Sequence, residues 1–364
     1  MRVLLLDLAK TFGGAEVRVL AQAHGLQAHV KQCDIATIEG SALHKRVQQD
    51  GLHYKVIKSN RSNPKILSEL RSIMRDGNYD VVDAHNVQSI LWGMFAARWA
   101  GVKGRIATIH SDYGAEYPGL KGTFYEGALT VTRPLTSHTI NVTDHLQQKA
   151  AKAGLASRSS LIANAVPIPI LPLAKRHSAA EWGFTDADFV IGILARLKAV
   201  KGHMYLIDAL NKLEDLPYVK LLIVGDGELE ADLKAQVERN GLQNRVVFTG
   251  FRQDIPHILE RVDCVCLASL SEALPYAVLE SASYARPLLL TRVGGLKTLF
   301  THNKTAHLVE PQSASSLAEG IRYFATHPEQ TQQIGHNGYD MVKARFDLDI
   351  MIRDILVAYQ KAIS

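Results

Sequence analysis

The sequence predicts an α/β protein with two parallel sheets, one in each half of the chain. Short apolar runs alternate with segments of helical apolar spacing through both halves, the pattern of strands joined by crossover helices. Between the halves lies Val166-Pro167-Ile168-Pro169-Ile170-Leu171-Pro172, whose prolines leave few helical options and mark a connector. The length, 364 residues, suits two domains that each bury a core.

In the first half, strand-like runs stand at Val3–Leu6, Val81–Asp83, Ile106–Ile109, Thr139–Val142 and Ser160–Ala163. The series restarts at Phe189–Leu194 and continues through Lys220–Val224, Val246–Phe248, Cys264–Ala268, Leu288–Thr291 and His307–Val309. These runs predict domains at 1–168 and 173–345, followed by an amphipathic segment at 346–364. No repeat of solenoid period is present.

Open parallel sheets bind ligands at the carboxyl ends of their strands. After the first strand, Asp7 to Glu16 form a loop whose Gly13 and Gly14 would let a ligand approach the backbone, although a Gly-Gly pair is commonly a plain turn. His110 follows another strand, ahead of Tyr113, Glu116 and Tyr117, and His85 follows a third. An isolated histidine at a strand end is commonly structural, and the tyrosines could be ordinary loop packing or stack on a sugar ring.

In the second half, the strand Val190–Leu194 breaks into a basic loop with Arg196 and Lys201, then a helical segment from His203. Fixed positive charge there suits a diphosphate. Glu272 and Glu280 stand eight apart after the run Cys264–Ala268, with Pro275 between them. Proline is pre-set for a first helical position, so a helix is expected from Pro275 to just before Arg286-Pro287. It would aim the free amides of Ala273, Leu274, Pro275's successors Tyr276 and Ala277, and Val278 beyond the strand. Such amides attract phosphate and carboxylates accept from sugar hydroxyls, which points to a nucleotide diphosphate-sugar.

Ala195-Arg196-Leu197-x3-Lys201-Gly202 followed by Glu-x7-Glu resembles the retaining nucleotide-sugar glycosyltransferases of family 4, glycosyl transferases group 1. Lys220–Gly227, Val246–Phe251 and Val293-Gly294-Gly295 extend the likeness, which is strong over 185–312 and weaker over 1–170. The resemblance implies the GT-B fold, two Rossmann-like parallel-sheet domains facing a central cleft, with the acceptor bound by the first and the donor by the second. It implies that segment 346–364 crosses back to the first domain. Glu280 would take the ribose hydroxyls and Glu272 those of the donor sugar. Arg196 and Lys201 would clamp the diphosphate, with Gly250, Phe251 and Arg252 beside the base. His110 would approach the donor sugar from the other domain, with Tyr113, Glu116 and Tyr117 near the acceptor. The acceptor would attack from the face that the diphosphate leaves, with no metal and no cofactor; no enzymic nucleophile is assigned, and Glu272 as a covalent nucleophile is the lesser alternative. The family's Gly-Phe-Gly after the first glutamate is here Ala273-Leu274-Pro275-Tyr276, and Ala165 replaces the glycine of its Asn-Gly turn after Asn164. UDP-glucose is the first expected donor, then other UDP-hexoses, then GDP- or ADP-sugars. The expected acceptor is a saccharide or lipid-linked saccharide.

An NAD-dependent oxidoreductase would need a third glycine that Gly225-Asp226-Gly227 lacks. A nucleotide-sugar epimerase and a non-enzymatic sugar-nucleotide binder are the other readings; the basic loop argues against the first and His110 with the glycine loop against the second. Residues 1–170 hold 20 Lys+Arg against 13 Asp+Glu, and the remainder 21 against 23. Lys55, Lys58, Arg61, Lys65, Arg71 and Arg75 crowd one segment, suggesting a solvated face or contact with anionic lipid or a pyrophosphate-linked acceptor. Aromatic residues do not interleave with them, which argues against nucleic acid. The chain reaches a charge too early for a signal peptide, and its apolar stretch near Ser89–Ala97 is too short to span a bilayer. Cys33, Cys264 and Cys266 lack disulfide or zinc spacing. The expected location is cytoplasmic, at most peripheral to the inner membrane face.

Overall fold

The computed structural model describes residues 1–117, 119–171, 179–272 and 274–364. They form two units, Met1–Ala165 with Leu348–Ser364, and Val166–Asp347. Pro172 and Leu173, at the expected end of the connector and start of the second domain, lie outside the described residues.

Unit one carries strands β1 (Arg2–Asp7), β2 (Gln32–Ile38), β3 (Tyr54–Ile57), β4 (Val81–His85), β5 (Gly104–Ile109), β6 (His138–Asn141) and β7 (Ser159–Leu161). Its helices are α1 (Gly14–Leu26), α2 (Ala42–Gln49), α3 (Ile66–Gly77), α4 (Val87–Ala100), α5 (Tyr113–Glu116), α6 (Leu120–Thr132) and α7 (Asp144–Lys152). Unit two has β8 (Phe189–Leu194), β9 (Val219–Val224), β10 (Val246–Gly250), β11 (Cys264–Leu267), β12 (Leu288–Thr291) and β13 (His307–Val309). Among them run α8 (His203–Asn211), α9 (Glu230–Arg239), α10 (Ile255–Leu259), α11 (Tyr276–Ser283), α12 (Leu296–Leu299), α13 (Ala314–Thr326) and α14 (Pro328–Arg345). The last helix, α15 (Leu348–Ile363), belongs to unit one.

The unit-one sheet has the order β3-β2-β1-β4-β5-β6-β7 and the unit-two sheet β10-β9-β8-β11-β12-β13, with every pair parallel. Strands covered on both faces are apolar throughout, and side chains alternate between the two covers. In β1, Val3 and Leu5 join a core with Val19 of α1 and Ile352, Ile355 and Tyr359 of α15. Leu4 and Leu6 join the opposite core with Leu70 of α3 and Met94 of α4. In unit two, Ile191, Ile193, Leu221, Ile223, Cys264 and Cys266 pack with Leu206 and Leu210 of α8. The three cysteines are buried and free.

Strands β2 and β3 carry no legible apolar run, because Gln32, Asp34 and Thr37 interrupt one and Lys55 the other. Their polar groups are satisfied inside: Tyr79 donates to the buried Asp34, Gln32 donates to it at 2.7 Å, and Lys55 lies 3.8 Å away. No helix among the described residues is long and apolar enough to cross a membrane.

Candidate active site

In unit two the chain leaves β8 through Arg196, makes a 3₁₀ turn over Ala199–Lys201 and enters α8 after Gly202. Gly202 has φ +68°, and a Cβ there would stand 2.1 Å from the Ala268 carbonyl oxygen, so the position requires glycine. That approach brings Lys201 over the end of β11. Its ammonium donates to Glu272 Oε1 at 2.5 Å, and Ser269 Oγ donates to the same oxygen at 2.7 Å. The Glu272 backbone is held as tightly: its carbonyl accepts from the Gly295 amide at 3.0 Å, under Gly294 at φ +46°. The turn expected behind the second glutamate thus grips the first.

Glu280 lies on α11, where burial raises its carboxyl, and the carboxylate has no hydrogen-bond partner among the described residues. Pro275 is the N-cap of α11, with φ −74° and ψ 138°, so the helix begins at Tyr276, one residue later than expected. The Val278 amide donates to the Pro275 carbonyl at 3.1 Å, which removes it from the expected set of free amides. Ala273 lies outside the described residues; Leu274 and Ala277 are half-buried and Tyr276 is buried. The Arg196 guanidinium is exposed and unpartnered among the described residues, a free cation at the strand end. A bond from the Gly225 amide to the Gly250 carbonyl, 2.9 Å, ties the β9 and β10 loops together. Phe251 is exposed there, whereas Arg252 is committed to Asp254 at 2.7 and 2.5 Å. Arg252 therefore borders the loop as half of an ion pair, not as an open cation.

In unit one, Gly13 caps α1 with an extended φ of −158°, and its amide donates to Glu16 Oε2 at 2.6 Å. Gly13 and Gly14 thus open a helix without any left-handed residue, and one of the two amides is already engaged. Burial and the Glu16 charge push the neighbouring Asp7 carboxyl well above its ordinary value. His110 Nε2 lies 3.0 Å from Nδ1 of His85, which is fully buried. Burial, with His85 and Arg18 nearby, holds the His110 imidazole well below its usual value; burial likewise takes His85 down to about 4.

Tyr113 does not present a stacking face: it is buried against Val87 and Ala128. Tyr117 is half-buried with the Lys121 ammonium 4.1 Å above its ring, and Glu116 is exposed. The basic segment disperses in the fold. Arg71 stacks on Trp99 at 4.3 Å, while Lys58 and Arg61 join Lys10 around a cavity of about 450 Å³ at the ends of β1 to β3.

The family profile described as Glycosyltransferase Family 4 matches residues 12–168, and that of Glycosyl transferases group 1 matches residues 175–341. The chain belongs to this glycosyltransferase family. A relative from Escherichia coli, UDP-Gal:alpha-D-GlcNAc-diphosphoundecaprenol alpha-1,3-galactosyltransferase, is 27% identical over 71% of this chain and 69% of its own. The 2-deoxystreptamine glucosyltransferase of Streptomyces kanamyceticus is 30% identical over 44% of this chain and 41% of its own. Anabaena HepE, solved in complex with UDP-glucose, superposes with a TM-score of 0.82 at 24% identity, covering 99% of each chain. The fold is GT-B, built on the two parallel sheets described above.

In this glycosyltransferase, the structure joins Lys201 to Glu272 and sets Arg196 and Glu280 on loops and helix at the same sheet's carboxyl edge. Sequence reading missed Ser269 as the second donor to Glu272, and it missed the pairing of His85 with His110. Ser269 precedes Glu272 by three residues, a spacing from which a local side-chain bond could have been inferred. Nothing in the spacing of two histidines 25 residues apart reveals that β4 and β5 are neighbours.

Proposed function

We propose that this glycosyltransferase moves a hexose from a UDP-hexose to a saccharide or lipid-linked saccharide with retention of anomeric configuration. Unit two would bind the donor and unit one the acceptor. The observation that carries the reading is the oriented carboxylate of Glu272. With Oε1 occupied by Lys201 and Ser269, Oε2 is left to accept from a sugar hydroxyl. Glu280, buried enough for its carboxyl to be raised and still unpartnered, suits paired ribose hydroxyls, which return the hydrogen bonds that burial removed. Arg196 and Lys201 supply the charge that a leaving diphosphate needs, so the chemistry requires neither a metal nor an enzymic nucleophile. Transfer begins as the anomeric bond to the diphosphate breaks; the acceptor hydroxyl attacks on the same face and passes its proton to a diphosphate oxygen.

UDP-hexoses are favoured because the E. coli relative is named for UDP-Gal and HepE was solved with UDP-glucose; glucose is the first donor to test. Lipid contact has its own support in α6. Leu120, Phe124 and Val131 share one exposed stripe, at 92%, 57% and 57% exposure, and Phe95 and Trp99 of the adjoining α4 are also exposed. Arg71, Arg98 and Lys121 flank them, whereas Glu126 on the far side of α6 is bound to Lys149 at 2.8 Å. Apolar side chains with basic neighbours match the surface of an anionic bilayer. The cytoplasmic side of a membrane, where nucleotide sugars are made, is the corresponding location.

Calorimetric titration with UDP, GDP and ADP, each with and without its glucose-type sugar, tests the donor class. Binding of UDP-hexose by wild type and at least tenfold weaker binding by Glu280→Ala are expected. Undiminished affinity in that variant would remove the ribose role, and failure of every nucleotide to bind would overturn the enzyme reading.

A further inference from the structure

Beneath His110 lies a buried polar chain that none of the roles above uses. His85, Asp83, Gln22 and Thr108 are all fully buried. Asp83 Oδ1 accepts from Thr108 Oγ1 at 2.6 Å, and Oδ2 accepts from Gln22 Nε2 at 2.8 Å and from the Tyr359 hydroxyl at 2.7 Å. Gln22 also donates to the Tyr359 oxygen at 2.6 Å, so the phenolic proton is directed to Asp83. Thr108 is likewise placed to donate. Asp83 is therefore held as an acceptor-only carboxylate by α1, β5 and α15 together.

His85 Nε2 lies 3.6 Å from Asp83 Oδ1, too long for a hydrogen bond, and has no nearer polar partner. A bare Nε2 would place a lone pair opposite a carboxylate oxygen in a dry interior, where such repulsion is poorly screened. A proton on Nε2 instead faces that charge favourably. The neutral ring then has a bare Nδ1, which can only accept across the 3.0 Å contact from His110 Nε2. With its proton committed inward, His110 has Nδ1 left as a lone pair, and that nitrogen has no partner among the described residues.

We infer that Asp83 and His85 are positioning residues that fix the tautomer of His110, so that it presents an acceptor nitrogen to a substrate hydroxyl. This deepens the transfer reading above, on which the use of His110 rests. Two consequences follow. His110 recognises a hydroxyl of the bound sugar or acceptor by accepting its proton into a hydrogen bond, and it does not serve as an acid. The C-terminal helix, through Tyr359, takes part in setting that polarity from the sheet face on which it packs. The depressed basicity of both rings, caused first by burial, agrees with a neutral pair.

The test is nitrogen-15 NMR of histidine-labelled full-length protein near neutral pH, which distinguishes protonated from bare ring nitrogens without any substrate. Both His85 and His110 are expected as Nε2–H tautomers. Asp83→Asn can turn an amide donor toward His85 and should invert or scramble the pair, while kcat for transfer falls about 10- to 100-fold with little change in donor KM. Tyr359→Phe, which keeps the ring in its core, should shift the His85 signal and reduce kcat less. A proton on His110 Nδ1 in the wild type would overturn the inference even if neither variant folds. So would a folded Asp83→Asn protein with unchanged His110 nitrogens. The use of His110 fails separately, if His110→Ala keeps wild-type turnover while the wild-type tautomers stand as assigned, and the transfer reading itself fails if the wild type turns over no nucleotide sugar.

Discussion

Glu272 is held from both ends, by Lys201 and Ser269 at its carboxylate and by Gly295 at its carbonyl. A Cβ at Gly294 would fall 1.8 Å from that carbonyl oxygen, in addition to requiring φ +46°. Gly294→Ala is therefore expected to destabilise the protein by about 2 kcal/mol or more and to weaken UDP-hexose binding, whereas a variant with unchanged thermal midpoint and affinity would show the turn to be slack. Lys201→Met leaves the Glu272 charge half-buried with one donor fewer; donor affinity should drop at least tenfold, measured by calorimetry. Local chemistry made several of these residues legible. Arg196, Lys201 and Glu272 are charged groups placed in loops after apolar runs, and a charge at the end of a buried strand has few uses other than a ligand. Arg252 looked equally open, because its neutralisation by Asp254 two residues on is only one of many rotamers in the sequence. Tyr113 looked available for stacking until α6 supplied the Ala128 that covers it.

At the scale of elements, α6 breaks the usual rule that a surface helix is apolar on one face only. Its inner side packs Gly122, Ala128 and Thr132, its outer side exposes Leu120, Phe124 and Val131, and a mostly apolar cavity of about 80 Å³ lies behind it. Wild-type protein should sediment with vesicles containing anionic phospholipid, and Leu120→Glu with Phe124→Glu should abolish this at unchanged stability. Equal sedimentation of both proteins would mean that the face serves another purpose, such as pairing with a second copy. The strand-to-loop ends were legible as elements because parallel strands covered on both sides are written almost wholly in Val, Ile and Leu. Strands β2 and β3 were not. Their alternation is disguised by polar groups, such as Asp34, whose partner Tyr79 is 45 residues away.

For the molecule as a whole, acid sensitivity has a definable source. His203 is 2% exposed, both its ring nitrogens lack partners, and burial, aided by the Lys201 charge, takes it down to about 4. Above about pH 6.5 neither folded nor unfolded chains protonate it; below that, the unfolded chain gains a proton that the folded chain refuses, so stability falls until about pH 4. Relative to His203→Gln, wild type should lose on the order of 3 kcal/mol across that window, read from denaturant curves at each pH. Parallel curves for the two proteins would show that the imidazole is already hydrated.

The path of the chain has a last consequence. Unit two is made from one uninterrupted stretch, but unit one is not: Ile352, Ile355 and Tyr359 of α15 complete the core begun by Val3 and Leu5. A ribosome that has just released unit two can leave it to fold at once, while the earlier-made sheet still exposes the part of its apolar face that α15 covers beside α1. The order of synthesis and the order of completion are thus reversed, and the earlier segment must wait, in need of protection from aggregation, for the later one.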